Sequence, residues 1–181
     1  TDAINYAYEN GVIIVIAAGN SGRQLIHPAG AANPKVIAVG ALTKDGKRAG
    51  FSNWEDFVFY GPGVRIYGPQ KNGVSTYTTK SGTSQACPNL AKVIHFMYDF
   101  ALWRGYTLTL EEIKEILKLS GTSVLDRGES YTPNAYNAIL ELDKYLQPKP
   151  PILSAELDLL TGLSYLNYDG RKIESAEALQ W

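Results

Sequence analysis

A chain of 181 residues with 45% hydrophobic and 19% charged side chains is long and apolar enough to bury a core, and its balance is ordinary for a globular domain. A formal net charge of −1 leaves no electrostatic footprint for nucleic acid or anionic lipid, and the longest apolar run, Val12 to Ala18, is too short to span a membrane. Cys87 is the only cysteine, which excludes an intrachain disulfide and a cysteine metal cluster and leaves a small packing residue as its reading.

In chain order, Asp2 to Asn10 reads as the end of a helix closed by Gly11. Val12 to Ala17 is a β-branched run suited to a central parallel strand buried on both faces. Lys35 to Ala41 is a second such strand and Phe57 to Tyr60 a third, the latter followed by a turn at Gly61-Pro62-Gly63. Val64 to Tyr67 and the segment around Ser75 to Thr79 read as a two-stranded excursion that returns the chain to Ser84. From Ser84 to about Trp103 a helix carries Leu90, Val93, Ile94, Met97 and Ala101 at helical spacing, which predicts a core-crossing stripe. Thr109 announces the next helix, with Glu111 and Glu112 in its first turn, Ile113, Ile116 and Leu117 on one face and Gly121 as its stop. Asn134-Ala135-Tyr136 begins the last one, which ends near Leu146.

Strands alternating with helices predict an α/β fold, a doubly wound parallel sheet with its site beyond the carboxyl ends of the strands, where Asn20 falls. Residues 1–146 make up this unit. Residues 147–151 form a stiff connector with Pro148, Pro150 and Pro151. In the extension at 152–181, Leu163 to Tyr168 and Arg171 to Glu174 flank Asp169-Gly170, a hairpin signal. Such a hairpin would pack on the domain's own surface or, through Tyr165, Leu166, Tyr168 and Trp181, dock on another subunit.

Two motifs carry chemistry. Ser81-Gly82-Thr83-Ser84-Gln85-Ala86-Cys87-Pro88 places a serine at the mouth of a helix behind a small-residue turn. Free N–H groups and the positive end of the helix dipole there favour negative charge developing on a bound carbonyl, which makes Ser84 the candidate nucleophile. Gly82 keeps a Cβ away from that point, Thr83 and Ser84 give a hydroxyl-rich helix entry, and Pro88 is expected in the first turn, where a missing N–H costs little. The second motif, Ala17-Ala18-Gly19-Asn20-Ser21-Gly22, ends a strand in an asparagine whose side-chain amide suits a second oxyanion donor.

Together these two runs resemble the serine half of a subtilisin-like protease. Sixty-four residues separate Asn20 from Ser84, close to the spacing in that family. His27-Pro28-Ala29, Val36-Ile37-Ala38-Val39-Gly40-Ala41, Phe51-Ser52-Asn53 and Gly61-Pro62-Gly63-Val64 extend the resemblance in order, from about residue 3 to residue 140. The resemblance implies that Asn20 and the backbone N–H of Ser84 hold the oxyanion of an acyl-transfer reaction on a protein or peptide substrate. Ala17, Ala18 and Gly19 would form one wall of the pocket for the residue before the cut, with Thr83 beside it. Ile26, Pro28 and Ala29 would close the floor, an inward Ile26 favouring small or medium apolar side chains. No cofactor is implied. Many relatives bind structural calcium through loop oxygens, but no matching positions are assignable.

The motif departs from the family at Gln85, where methionine is usual, at Pro88-Asn89 in place of Pro-His, at Lys92 in place of a small residue, and at Gly61 in place of alanine. None of these removes a nucleophile or an oxyanion donor.

The acid and base of the family's Asp, His, Ser order are expected upstream of residue 1. His95 lies on the same helix as Ser84, about 16 Å along it, too far to act as its base. His27 reads as a turn residue. An N-terminal part of the same protease domain is therefore the expected partner. The competing reading is a catalytically silent subtilisin-like domain that serves as a binding or structural subunit through the Pro-linked hairpin.

Overall fold

The computed structural model describes residues 2–25, 30–56, 58–70, 76–124 and 130–146. Helix α1 (Asp2–Glu9) ends at Gly11, whose φ of +74° is the left-handed conformation of a helix stop. Strand β1 (Val15–Ala17) pairs in parallel with β2 (Ile37–Leu42), with Val15 opposite Ile37 and Ala17 opposite Val39. All six residues of β2 are buried, which is why its sequence is an unbroken apolar run. Strand β3 (Phe59–Pro62) continues the parallel ladder, with Val39 opposite Phe59 and Leu42 opposite Pro62. An antiparallel pair, β4 (Ile66–Pro69) and β5 (Tyr77–Lys80), then leads into α2 (Thr83–Trp103). After α2 come α3 (Leu110–Ser120), β6 (Thr122–Ser123), β7 (Tyr131–Thr132) and α4 (Ala135–Tyr145). The sheet order is β1-β2-β3-β7-β6, parallel except for β6 against β7.

Helix α2 packs across β1, β2 and β3 and against α4. Leu90, Val93, Ile94, Met97 and Ala101 are all buried, so the expected stripe is the core face, with Phe100 added to it. Each of these side chains other than that of Ala101 contributes about 1.5–3 kcal/mol relative to leaving it in water. The start of α3 is fixed by a complete capping box. The Thr109 hydroxyl accepts from the Glu112 N–H and the Glu112 carboxylate accepts from the Thr109 N–H. Asn134 caps α4 by accepting from the Asn137 N–H at 3.1 Å.

The structure corrects several expectations. β1 begins at Val15 and is half-buried at one edge of the sheet among the described residues, because only β2 pairs with it. β3 runs later than expected and absorbs Gly61 and Pro62, which pair with Ala41 and Leu42 instead of forming a turn. Pro88 is the sixth residue of α2, in its second turn and not its first. It is tolerated in the helix interior at the cost of one hydrogen bond, the one that would have ended on the Ser84 carbonyl. The two-residue strands β6 and β7 are too short to show a period in sequence, and pairing creates them, β7 with β3 and β6 with β7. The connector at 147–151, the extension at 152–181, and Phe57 and Ser75 lie outside the described residues.

Candidate active site

The carboxyl end of β1 runs into Ala18-Gly19-Asn20, and the loop before α2 lies against it. The Asn20 carboxamide oxygen accepts from the Thr83 backbone N–H at 2.9 Å and from the Thr83 hydroxyl at 3.1 Å. That hydroxyl in turn accepts from the Gly19 N–H at 3.1 Å. Thr83 is fully buried, while Asn20 is exposed, so the bonds are partly shielded from water on the Thr83 side. With Oδ1 engaged twice, the Asn20 amide nitrogen is the end of the side chain left to donate. It lies 3.4 Å from where a Cβ on Gly82 would stand.

Thr83 and Ser84 are the first two residues of α2, the expected hydroxyl-rich entry. The N-cap position is Gly82, which has no side chain to cap with, and the Thr83 side chain bonds sideways to Gly19 and Asn20. Ser84 follows as the second residue of α2 and is exposed to solvent. Its N–H belongs to the first turn, which has no carbonyl four residues back to bond. Gly82 itself is extended, so its role is spatial: a Cβ there would stand 2.8 Å from the Gln85 Oε1. Gln85 thus covers the turn from the residue position where an apolar side chain was expected.

Behind this turn, Gly82 N–H donates to the Gly63 carbonyl at 2.8 Å, and Arg65 N–H donates to the Ser81 hydroxyl at 2.9 Å. Arg65 is the one non-glycine residue with positive φ (57°) among the described residues. The end of β3 thereby sets the height of the serine turn. Asn89 adds a tie by donating from Nδ2 to the Gln85 carbonyl at 3.2 Å and to the Pro62 carbonyl at 3.4 Å.

Phe51-Ser52-Asn53 holds the other side. Asn53 is buried; its Nδ2 donates to the Ala18 carbonyl at 2.9 Å and its Oδ1 accepts from the N–H groups of Ser21 and Arg23 at 3.0 and 3.2 Å. Its own N–H donates to the Gly19 carbonyl at 2.9 Å. Ser52 links this segment to β2 by accepting from the Ala41 N–H at 3.0 Å. These supporting residues were not singled out as site residues in sequence, because the partners of the Asn53 side chain lie thirty or more residues away.

Of the sequence-predicted site residues, the fold brings Ala17, Ala18, Gly19, Asn20, Thr83 and Ser84 together at one end of the sheet. Ile26, Pro28 and Ala29, with His27, lie outside the described residues. His95 is exposed on α2 and pairs with Asp99 at 3.2 Å, away from Ser84. Cys87 is half-buried beside the core, and that burial pushes its thiol pKa up. Among the described residues, no three His, Cys, Asp or Glu side chains stand together to hold a metal ion.

The sequence model of the subtilase family matches residues 1–138. The chain belongs to the subtilase family. Among similar proteins, the extracellular basic protease of Dichelobacter nodosus is 34% identical over 161 residues, covering 78% of this chain and 26% of that protein. Subtilisin-like protease 2 of Arthroderma otae is 35% identical over 157 residues, covering 82% and 34% respectively. Among solved structures, the prenylagaramide maturation protease PagA superposes with a TM-score of 0.65 at 32% identity, over 78% of this chain and 54% of that one. The patellamide maturation protease PatA gives 0.66 at 29% identity, over 79% and 56%. The subtilase chain thus spans about a third or less of these two curated relatives and about half of the solved protease chains.

Proposed function

We propose that this subtilase chain is the serine-bearing part of a serine endopeptidase that hydrolyses peptide bonds through an acyl-enzyme on Ser84. The observation that carries the reading is the pair of hydrogen bonds from Thr83 to the Asn20 carboxamide oxygen, which leaves the amide nitrogen as the donor beside the turn that presents an exposed helix-start serine. Ser84 Oγ attacks the scissile carbonyl carbon and gives its proton to a histidine base. The carbonyl π electrons move to oxygen, where Asn20 Nδ2 and the Ser84 N–H stabilise the charge. Collapse of the adduct expels the amine, protonated by the same histidine, and water then hydrolyses the ester.

The histidine and its aspartate come, in this reading, from an N-terminal part of the same protease domain. The half-buried β1 edge supports it. Val15 to Ala17 pair only with β2 among the described residues, which leaves one side of a parallel strand for another to join. The substrate is a protein or peptide lying across Ala17 to Gly19, and no cofactor takes part.

Fluorophosphonate labelling of the full-length protein that contains this chain tests the reading. Labelling at Ser84 that is abolished in Ser84→Ala is the expected result. A folded full-length protein that does not label would overturn it in favour of a catalytically silent subunit.

A further inference from the structure

We infer that Asn53 is the positioning residue of the oxyanion donor, a splint that sets where Asn20 stands without touching the substrate. This inference rests on the proposed role of Asn20. Asn53 bonds to the backbone on both sides of that residue: its N–H donates to the Gly19 carbonyl at 2.9 Å, and its Oδ1 accepts from the Ser21 N–H at 3.0 Å. Two further bonds extend the grip by one residue toward the strand and by two residues into the loop. Nδ2 donates to the Ala18 carbonyl at 2.9 Å, and Oδ1 accepts from the Arg23 N–H at 3.2 Å. One side chain and one amide thus satisfy backbone groups across the whole segment from Ala18 to Arg23, skipping only Asn20 and Gly22. Gly22 is held by the same segment two residues earlier, its N–H donating to the Phe51 carbonyl at 2.7 Å.

The splint is itself anchored. The Ser52 hydroxyl accepts from the Ala41 N–H and donates to the Asn53 carbonyl, each at 3.0 Å, which ties Asn53 to the buried strand β2. Arg48 buttresses the same segment by donating to the Ser52 carbonyl at 2.8 Å. Contact with the loop is close enough to dictate its sequence: a Cβ on Gly19 would lie 2.6 Å from the Asn53 Nδ2, and Gly19 sits at φ +100°. Asn20, exposed on a loop, has no core packing of its own. Its position is set by Thr83 at the side chain and by Asn53 at the backbone. A misplacement near 1 Å in such a group is enough to cost about 10²-fold in rate. An amide suits this position because it supplies a donor on one atom and two-bond acceptance on the other.

A double-mutant cycle in the full-length protein tests this, with fluorophosphonate labelling of the wild type as its entry control. Asn53→Ala is expected to lower kcat about 10- to 100-fold with little change in KM. On an Asn20→Ala background the same substitution is expected to have almost no further effect on kcat, because the donor it positions is gone. Asn53→Asp keeps the acceptor toward Ser21 and Arg23 but sets a second carboxylate oxygen against the Ala18 carbonyl, and is expected to lose at least as much kcat as Asn53→Ala. If Asn53→Ala does not purify folded, the cycle is run with Asn53→Ser, which keeps a small polar side chain at that position. Equal fold-losses on both backgrounds would show a general structural role and overturn the inference while leaving the protease reading intact. A wild type that does not label would overturn both.

Discussion

The Asn20 carboxamide oxygen and Thr83 are joined by two hydrogen bonds, 2.9 Å from the backbone N–H and 3.1 Å from the hydroxyl. These residues are sixty-three positions apart, and the contact fixes the orientation of an otherwise exposed amide.

Removing the donor or its clamp should therefore affect rate before stability. Asn20→Ala in the full-length protein is expected to lower kcat by about 10²- to 10³-fold, the cost of losing the equivalent donor in subtilisin itself. Thr83→Val removes the hydroxyl from Asn20 and leaves the Gly19 N–H without its acceptor, and a loss of about 10-fold in kcat is expected. Steady-state kinetics on a peptide substrate, with circular dichroism to check folding, decides both. Unchanged turnover in Asn20→Ala would contradict its assignment.

The approach of β3 to the serine turn leaves no space at Gly63. A Cβ there would lie 2.5 Å from the Ala41 Cβ and 2.9 Å from the Gly82 carbonyl oxygen. Gly63→Ala is expected to destabilise the fold by about 1–3 kcal/mol through overpacking. Because the Gly82 N–H bonds to the Gly63 carbonyl, the strain falls on the turn that carries Ser84, and kcat should drop as well. Urea denaturation and kinetics on the same variant measure the two effects.

Glu112 should make stability depend on acid pH. Burial pushes its carboxyl up, but hydrogen bonds from the Thr109 backbone, Tyr106, Tyr145 and the Thr109 hydroxyl outweigh this and hold it down at about 2. The same bond to Glu112 pushes the Tyr145 hydroxyl up to about 12. Since the folded-state value lies below the ordinary value of 4.5, the stabilisation is present in full above that pH and is lost as pH falls towards 2. Glu112→Gln is expected to be less stable than wild type at pH 6, with the gap closing between pH 4.5 and 2. A gap that stays constant over this range, followed by urea denaturation, would exclude the charged capping network as its source.

Cys87 offers a probe of the helix that carries Ser84. Its thiol is half-buried and its pKa is raised by that burial, so little thiolate is available at neutral pH. Reaction with an aromatic disulfide reagent at pH 8 is expected to run at least about 10-fold slower in the folded chain than in urea. Equal rates would mean that the start of α2 opens readily.

Much of the framework was legible from residues close together in sequence. The stripe from Leu90 to Ala101, the Thr109 and Glu112 capping box and the Asn134 cap depend on helical period and on contacts within one turn, so the amino-acid sequence determined α2, α3 and α4. The order of β1, β2 and β3 followed from their apolar runs, and the two motifs pointed to Ser84 and Asn20. What tertiary structure alone decided depends on partners far apart in the chain. β7 exists as a strand because β3 lies beside it, and the Thr83 side chain finds its partners in Gly19 and Asn20, more than sixty residues away. The Asn53 splint reaches Ser21 across thirty-two residues and Ala18 across thirty-five. Periodicity and capping are local and show in a window of a few residues. Polar bonds of this kind are fixed only when packing of the sheet and α2 brings the segments to hydrogen-bonding distance, and no window of sequence contains both ends.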